Sequence, residues 1–83
     1  MKYKHTLVRL KKIGARFYEQ ERHNFGICDE DFIDRATNRD TMKFFKSLGA
    51  KERVIYNNND IRIISTRQND RSIHIFEKIT EEE

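Results

Sequence analysis

Cysteine is almost missing from this 83-residue chain: Cys28 is the only one, so no disulfide can form within it. Zinc sites built on several thiolates are excluded for the same reason, and a reducing, intracellular compartment fits best. Proline is absent, glycine occurs three times, and no Gly/Ser-rich linker or internal repeat divides the sequence. A single compact domain over residues 1–80 is expected, with Glu81–Glu83 as an acidic tail. No apolar run approaches a membrane span and no apolar leader marks secretion, so the expectation is a cytoplasmic protein with no membrane partner. Apolar residues are themselves scarce, at 36% against 37% charged, which leaves a thin core. Small domains of that kind gain stability by pairing with a second copy or another partner.

Acidic residues are missing from one end only. The first sixteen residues carry Lys2, Lys4, Arg9, Lys11, Lys12 and Arg16 with no carboxylate, so the other sixty-seven sum to −3 within a net charge of +3. A concentrated basic segment attracts a polyanion, because neutralising phosphates releases condensed counterions. RNA or another nucleic acid is therefore the expected partner, with an acidic protein surface as the alternative.

Three blocks organise the chain. Leu7, Leu10, Ile13 or Gly14, and Phe17 recur every three or four residues, which favours an amphipathic helix from about Thr6 to Glu21. On it Arg9, Lys12 and Arg16 would share one side. The competing reading makes Lys4–Leu10 a strand, turned at Gly14 into Arg16–Glu19. In the second block, Asp29 or Asp31 can open a short helix through Phe32, Ile33 and Ala36. Asn38 or Asp40 can cap another carrying Thr41, Phe44, Phe45 and Leu48, which Gly49 would end.

The third block reads as β-structure. Val54–Tyr56, Ile61–Arg67 and Ser72–Ile79 are separated by Asn57–Asp60 and by Gln68–Arg71, a four-residue hairpin loop. Alternation assigns Ile61, Ile63, Ile73 and Ile75 to one face, packed on the Phe44/Phe45/Leu48 helix. The expected fold is α+β: a small antiparallel β-sheet, a C-terminal meander or hairpin, packed against one or two helices.

On the opposite face of that hairpin the same alternation groups Arg62, Ile64 and Thr66 with His74, Phe76 and Lys78. Rings flanked by cations form a stacking platform for single-stranded bases. Arg62, His74, Phe76 and Lys78 are thus the expected base-facing surface, and the six N-terminal cations the phosphate contacts. The bland reading of the same residues packs Ile64 and Phe76 beneath the N-terminal segment. Asp29, Glu30, Asp31 and Asp34 lack the glycine-punctuated spacing of a calcium loop, and complementing a helix dipole is their expected role. They could also dock on the basic stripe of a second copy, giving a homo-oligomer. His23 and Cys28 are five apart, and His5, His23 and His74 could supply acid and base for RNA cleavage, but none has a partner at a convincing spacing. No catalytic residue, metal or cofactor is expected.

The run Ala36-Thr37-Asn38-Arg39-Asp40-Thr41-Met42-Lys43-Phe44-Phe45-Lys46-Ser47-Leu48-Gly49-Ala50 resembles a segment of small accessory proteins of large tailed phages, and the absence of proline and tryptophan suits that style. The resemblance implies a host-takeover or anti-defence setting, in which binding neutralises a host factor such as a ribonuclease toxin. It carries no site residue. The combined expectation is a small, basic, non-enzymatic RNA-binding module acting in the host cytoplasm.

Overall fold

The computed structural model describes residues 2–79; the Glu81–Glu83 tail lies outside them. Five strands and two short helices follow one another as β1 (Lys2–Ile13), β2 (Arg16–Asp29), α1 (Glu30–Thr37), α2 (Arg39–Ser47), β3 (Lys51–Tyr56), β4 (Asp60–Arg67) and β5 (Asp70–Lys78). The strands form one antiparallel sheet in the order β2-β1-β5-β4-β3. The fold is mostly β, with 63% of the described residues in strands and 22% in helices. This corrects the expected α+β architecture: the sheet is not confined to the C-terminal half, because its two longest strands come from the N-terminus.

The helix expected over Thr6–Glu21 is a β-hairpin instead. Ile13 pairs with Arg16, and Gly14 takes φ +65 at the first central position of the two-residue turn, where a right-twisted hairpin favours glycine. β1 lies between β2 and β5, so it is shielded on both edges, and both of its faces carry apolar residues. Leu7 on one face and Val8 on the other are both buried. That doubling blurs the period-two signal and imitates a helical spacing. Ile13, a key residue of the helical pattern, is exposed at the hairpin tip. Register shifts at His5/Thr6 and Arg9/Leu10 give β2 an extra residue at each, and bulges of this kind increase the twist of a long hairpin.

The helices arise where their caps were expected. Asp29 accepts from the Phe32 N–H at 3.1 Å, and Asn38 accepts from the Thr41 N–H at 2.8 Å. Glu30 and Asp31 lie in the first turn of α1, where carboxylates favour the helix dipole. Gly49, at φ +84, follows the end of α2. Since β2 and β3 are the opposite edges of the sheet, the chain must cross about 19 Å, four strand spacings, to join them. The two helices make that crossing, and so cover a single face.

The core lies on this covered face, where Tyr3, Ile33, Ile63 and Phe76 meet, with Cys28, Ala36, Val54 and Ile61 around them. Ile33 of α1 is the helical contribution. The expectation that Phe44, Phe45 and Leu48 would seal the isoleucines is corrected: α2 buries no residue, and Phe44 remains 59% exposed.

Candidate functional site: the open face of the sheet

The β4–β5 turn holds two residues, Gln68 and Asn69, because Arg67 pairs with Asp70. An even-length loop places odd-numbered residues of one strand opposite even-numbered residues of the next. Ile61 therefore faces Phe76, and Ile63 faces His74, all on the helix-covered side. Arg62 faces Ile75 and Ile64 faces Ile73, on the uncovered side. The isoleucine face and the stacking platform are both overturned by this pairing: Arg62 stands on one face, with His74, Phe76 and Lys78 on the other. Phe76 is 1% exposed and stacks on His5 at 4.4 Å, leaving no ring area for a base.

Registers across all five strands assemble the uncovered face as a lattice of rows. One row runs Arg22, Val8, Ile73, Ile64, Arg53 from β2 to β3. The neighbouring rows are Asn24, Thr6, Ile75, Arg62, Ile55 and Glu19, Leu10, Arg71, Thr66, Lys51. Directly opposed side chains are about 5 Å apart, so Val8, Ile73 and Ile64 form a continuous apolar strip with an arginine at each end. Lys4 and Lys12 add charge at the two ends of β1, while Glu77 and Asp60 oppose it beside Lys4. Cations outnumber carboxylates on this face by eight (Lys2, Lys4, Lys12, Arg22, Lys51, Arg53, Arg62, Arg71) to four (Glu19, Asp29, Asp60, Glu77).

Some of those cations are already engaged. Arg22 meets Glu19 at 2.7 Å and Arg62 meets Asp60 at 3.6 Å, exposed or half-exposed pairs of small energetic value. Arg71 lies over the Phe17 ring at 4.0 Å and its Nε donates to Thr66 Oγ1 at 3.1 Å. Lys4, Lys12, Lys51 and Arg53 form no ion pair among the described residues. The long aliphatic stems of such residues can lie over neighbouring isoleucines while their heads stay in water.

The N-terminal cations expected to act together are divided by the strand. Lys2, Lys4 and Lys12 alternate to the uncovered face, whereas Arg9, Lys11 and Arg16 alternate to the other. Arg9 is tied to Glu21 at 3.3 Å. The stripe of Arg9, Lys12 and Arg16 does not form. Arg22, Lys51, Arg53 and Arg71 enter the cationic face unforeseen; the readable signal was the alternation Lys51-Glu52-Arg53, cation out and carboxylate in, at the start of an edge strand.

The three histidines and the cysteine lie on the covered side. His5 Nε2 and His74 Nδ1 share a hydrogen bond of 2.9 Å. Burial, then the neighbouring His74, holds His5 below the usual imidazole range; burial, then Arg9, does the same to His74. His23 bonds Glu21 at 3.1 Å and so forms no pair with Cys28, whose thiol is pushed up by burial and by Asp29. No group of three or more His, Cys, Asp or Glu side chains suited to a metal occurs among the described residues, and no helix there is long and apolar enough to cross a membrane. No family model matches the chain, and no curated protein or solved structure matches it.

Proposed function

We propose that the chain is a non-catalytic docking module whose open sheet face binds an acidic protein surface with an apolar centre. The observation that carries this reading is the half-buried Ile73–Ile64 pair, flanked by the buried Val8 and held between Arg22 and Arg53. Stable interfaces bury an apolar centre and leave charge at the rim, and an excess of cations at the rim selects an acidic partner and repels a second copy. The same cations would meet nucleic-acid phosphates. A protein partner is favoured because base recognition wants accessible rings on that face, and the one ring there among the described residues, Phe17, lies beneath Arg71. The resemblance of residues 36–50 to phage accessory proteins supplies a setting, a host protein neutralised in the cytoplasm.

The test is a pull-down from host lysate with and without ribonuclease, repeated with Arg22→Glu/Arg53→Glu. The expected result is one protein retained through nuclease treatment, lost with the double variant and weakened by salt. Capture that disappears with ribonuclease would transfer the face to RNA. Capture indifferent to the double variant would remove the face from the interaction.

A further inference from the structure

Beneath the helices, on the side away from the cationic face, the covering is incomplete. The two helices hold only seventeen residues between them and leave a cavity of about 360 Å³ between α2 and the sheet. Its roof comes from Phe32 and Phe45, its floor from Ile63 and Phe76. One side of the floor is a polar row set by strand register: Ser72 opposite Ser65, and Ser65 opposite Glu52. Small-ligand sites have this form and size, mostly apolar walls with a few convergent polar groups.

Glu52 is the informative residue. Its Oε2 is buried and has no hydrogen-bond partner among the described residues. A shielded carboxylate oxygen left unpaired weakens the fold, and a charged donor is what compensates it best. The other titratable side chain lining the cavity, His74, is disfavoured as a cation by burial and by Arg9, which lowers its repulsion of an incoming cation. Phe32 and Phe45 are 41% and 36% exposed, and an occupant would cover them. Their rings also offer π-faces that favour a cation over an anion.

We propose that this cavity binds a small organic ammonium ion, with the ammonium on the Glu52 carboxylate and an apolar body between the Phe32/Phe45 roof and the Ile63/Phe76 floor. The two serine hydroxyls supply further acceptors for the ammonium protons. Water alone is a poorer occupant, since each buried water needs two to four polar partners and most of this wall offers none.

The experiment titrates 4-phenylbutylammonium into the isotope-labelled full chain by NMR, beside the neutral 4-phenylbutanol and the anionic 4-phenylbutyrate. Saturable shifts at Ala36, Ser65 and Ser72 are expected, strongest for the ammonium and absent for the carboxylate. Glu52→Gln should weaken the ammonium at least tenfold and leave the alcohol unchanged. Ala36→Leu, which fills the cavity, should abolish both, and tests the site if the first variant fails to fold. Equal binding of carboxylate and ammonium, indifference to either variant, no saturation, or shifts confined to Glu19, Asp60 and Glu77 on the opposite face would each overturn the proposal. A result on either face leaves the other reading standing.

Discussion

Replacing Glu52 by glutamine should make the free protein more stable at neutral pH. Burial raises the Glu52 pKa above its ordinary value of 4.5, because the shielded oxygen is disfavoured as an anion. A carboxyl with a raised folded-state pKa contributes stability that is fully present below the unfolded value and is lost as pH rises through the folded one. Wild type and Glu52→Gln should therefore be nearly equal near pH 4, and separate as pH climbs. Glutamine keeps an unpaired polar atom there and removes only the charge, and Glu52 is only half-buried, so the gain is at the low end of the penalty for a buried polar group, about 1 kcal/mol. For a domain this size that is a rise in Tm of about 4–8 °C at pH 7. Urea denaturation of both proteins at pH 4 and pH 7 measures it, with every shared group cancelling in the difference. A variant less stable than wild type at pH 7, or a gap of the same size at both pH values, would refute the reasoning.

Phe76→Ala should cost about 3–5 kcal/mol, since its ring is the largest side chain fully enclosed among the described residues; chemical denaturation checks it, and a loss below about 1 kcal/mol would move the core elsewhere. Against a total of about 4–12 kcal/mol for a chain of this length, that variant would lose a large share of its stability, and would unfold only if wild type lies at the low end. In a Glu52→Gln background, stability should fall as pH drops from 7.5 to 5.5. His5 and His74 have depressed folded-state values, so the unfolded chain takes up protons below about 6.5 that the folded pair refuses; a flat profile would show that the rings charge in place. Gln68, at φ +53, is the one non-glycine residue with positive φ among those described. Gln68→Gly should stabilise by about 0.5 kcal/mol, the left-handed penalty less the added chain entropy, read from denaturation midpoints, and a destabilised variant would mean that the Gln68 side chain supports the turn.

Much of the local structure was readable because it depends on neighbouring residues. Asp29 and Asn38 cap as their positions suggest, Gly49 follows α2 in a left-handed conformation, and the three C-terminal strands lie close to where alternation puts them. What stayed illegible depends on partners far along the chain. Lys2–Ile13 forms a strand shielded on both edges only because β5, some sixty residues later, pairs with it. Nothing in Leu7, Leu10, Ile13 and Phe17 announces that pairing, and their spacing fits a helix as well. The face assignment of Arg62, His74, Phe76 and Lys78 inverts for a simpler reason: an even hairpin loop sets odd-numbered residues of β4 opposite even-numbered residues of β5. Sites suffer most from such errors, since a shift of one residue sends every side chain to the other face. The Glu52 cavity was invisible for the same reason, being assembled from three strands and two helices.

The two faces of this sheet ask different questions of the same strands. An antiparallel sheet with one face on helices normally turns polar residues to water on the other. β1, β4 and β5 do not: Val8, Ile64, Ile73 and Ile75 point away from the helices while Leu7, Ile63 and Phe76 point toward them. Folding accounts for Val8, which is buried, but gives less reason for Ile64, Ile73 and Ile75, which stay half-buried with no helix over them and add an attraction between copies. The surrounding cations offset that liability, since two identical faces of this charge repel. A strip that is sticky at its centre and positive at its rim is thus protected against its own kind while open to a surface of opposite charge. The consequence can be checked without knowing the partner. Lys4→Glu/Arg53→Glu/Arg62→Glu, which makes the face slightly negative, should increase concentration-dependent self-association over wild type in sedimentation at moderate salt; a variant that associates no more than wild type would mean that the isoleucine strip is not adhesive, and that cations alone define the face.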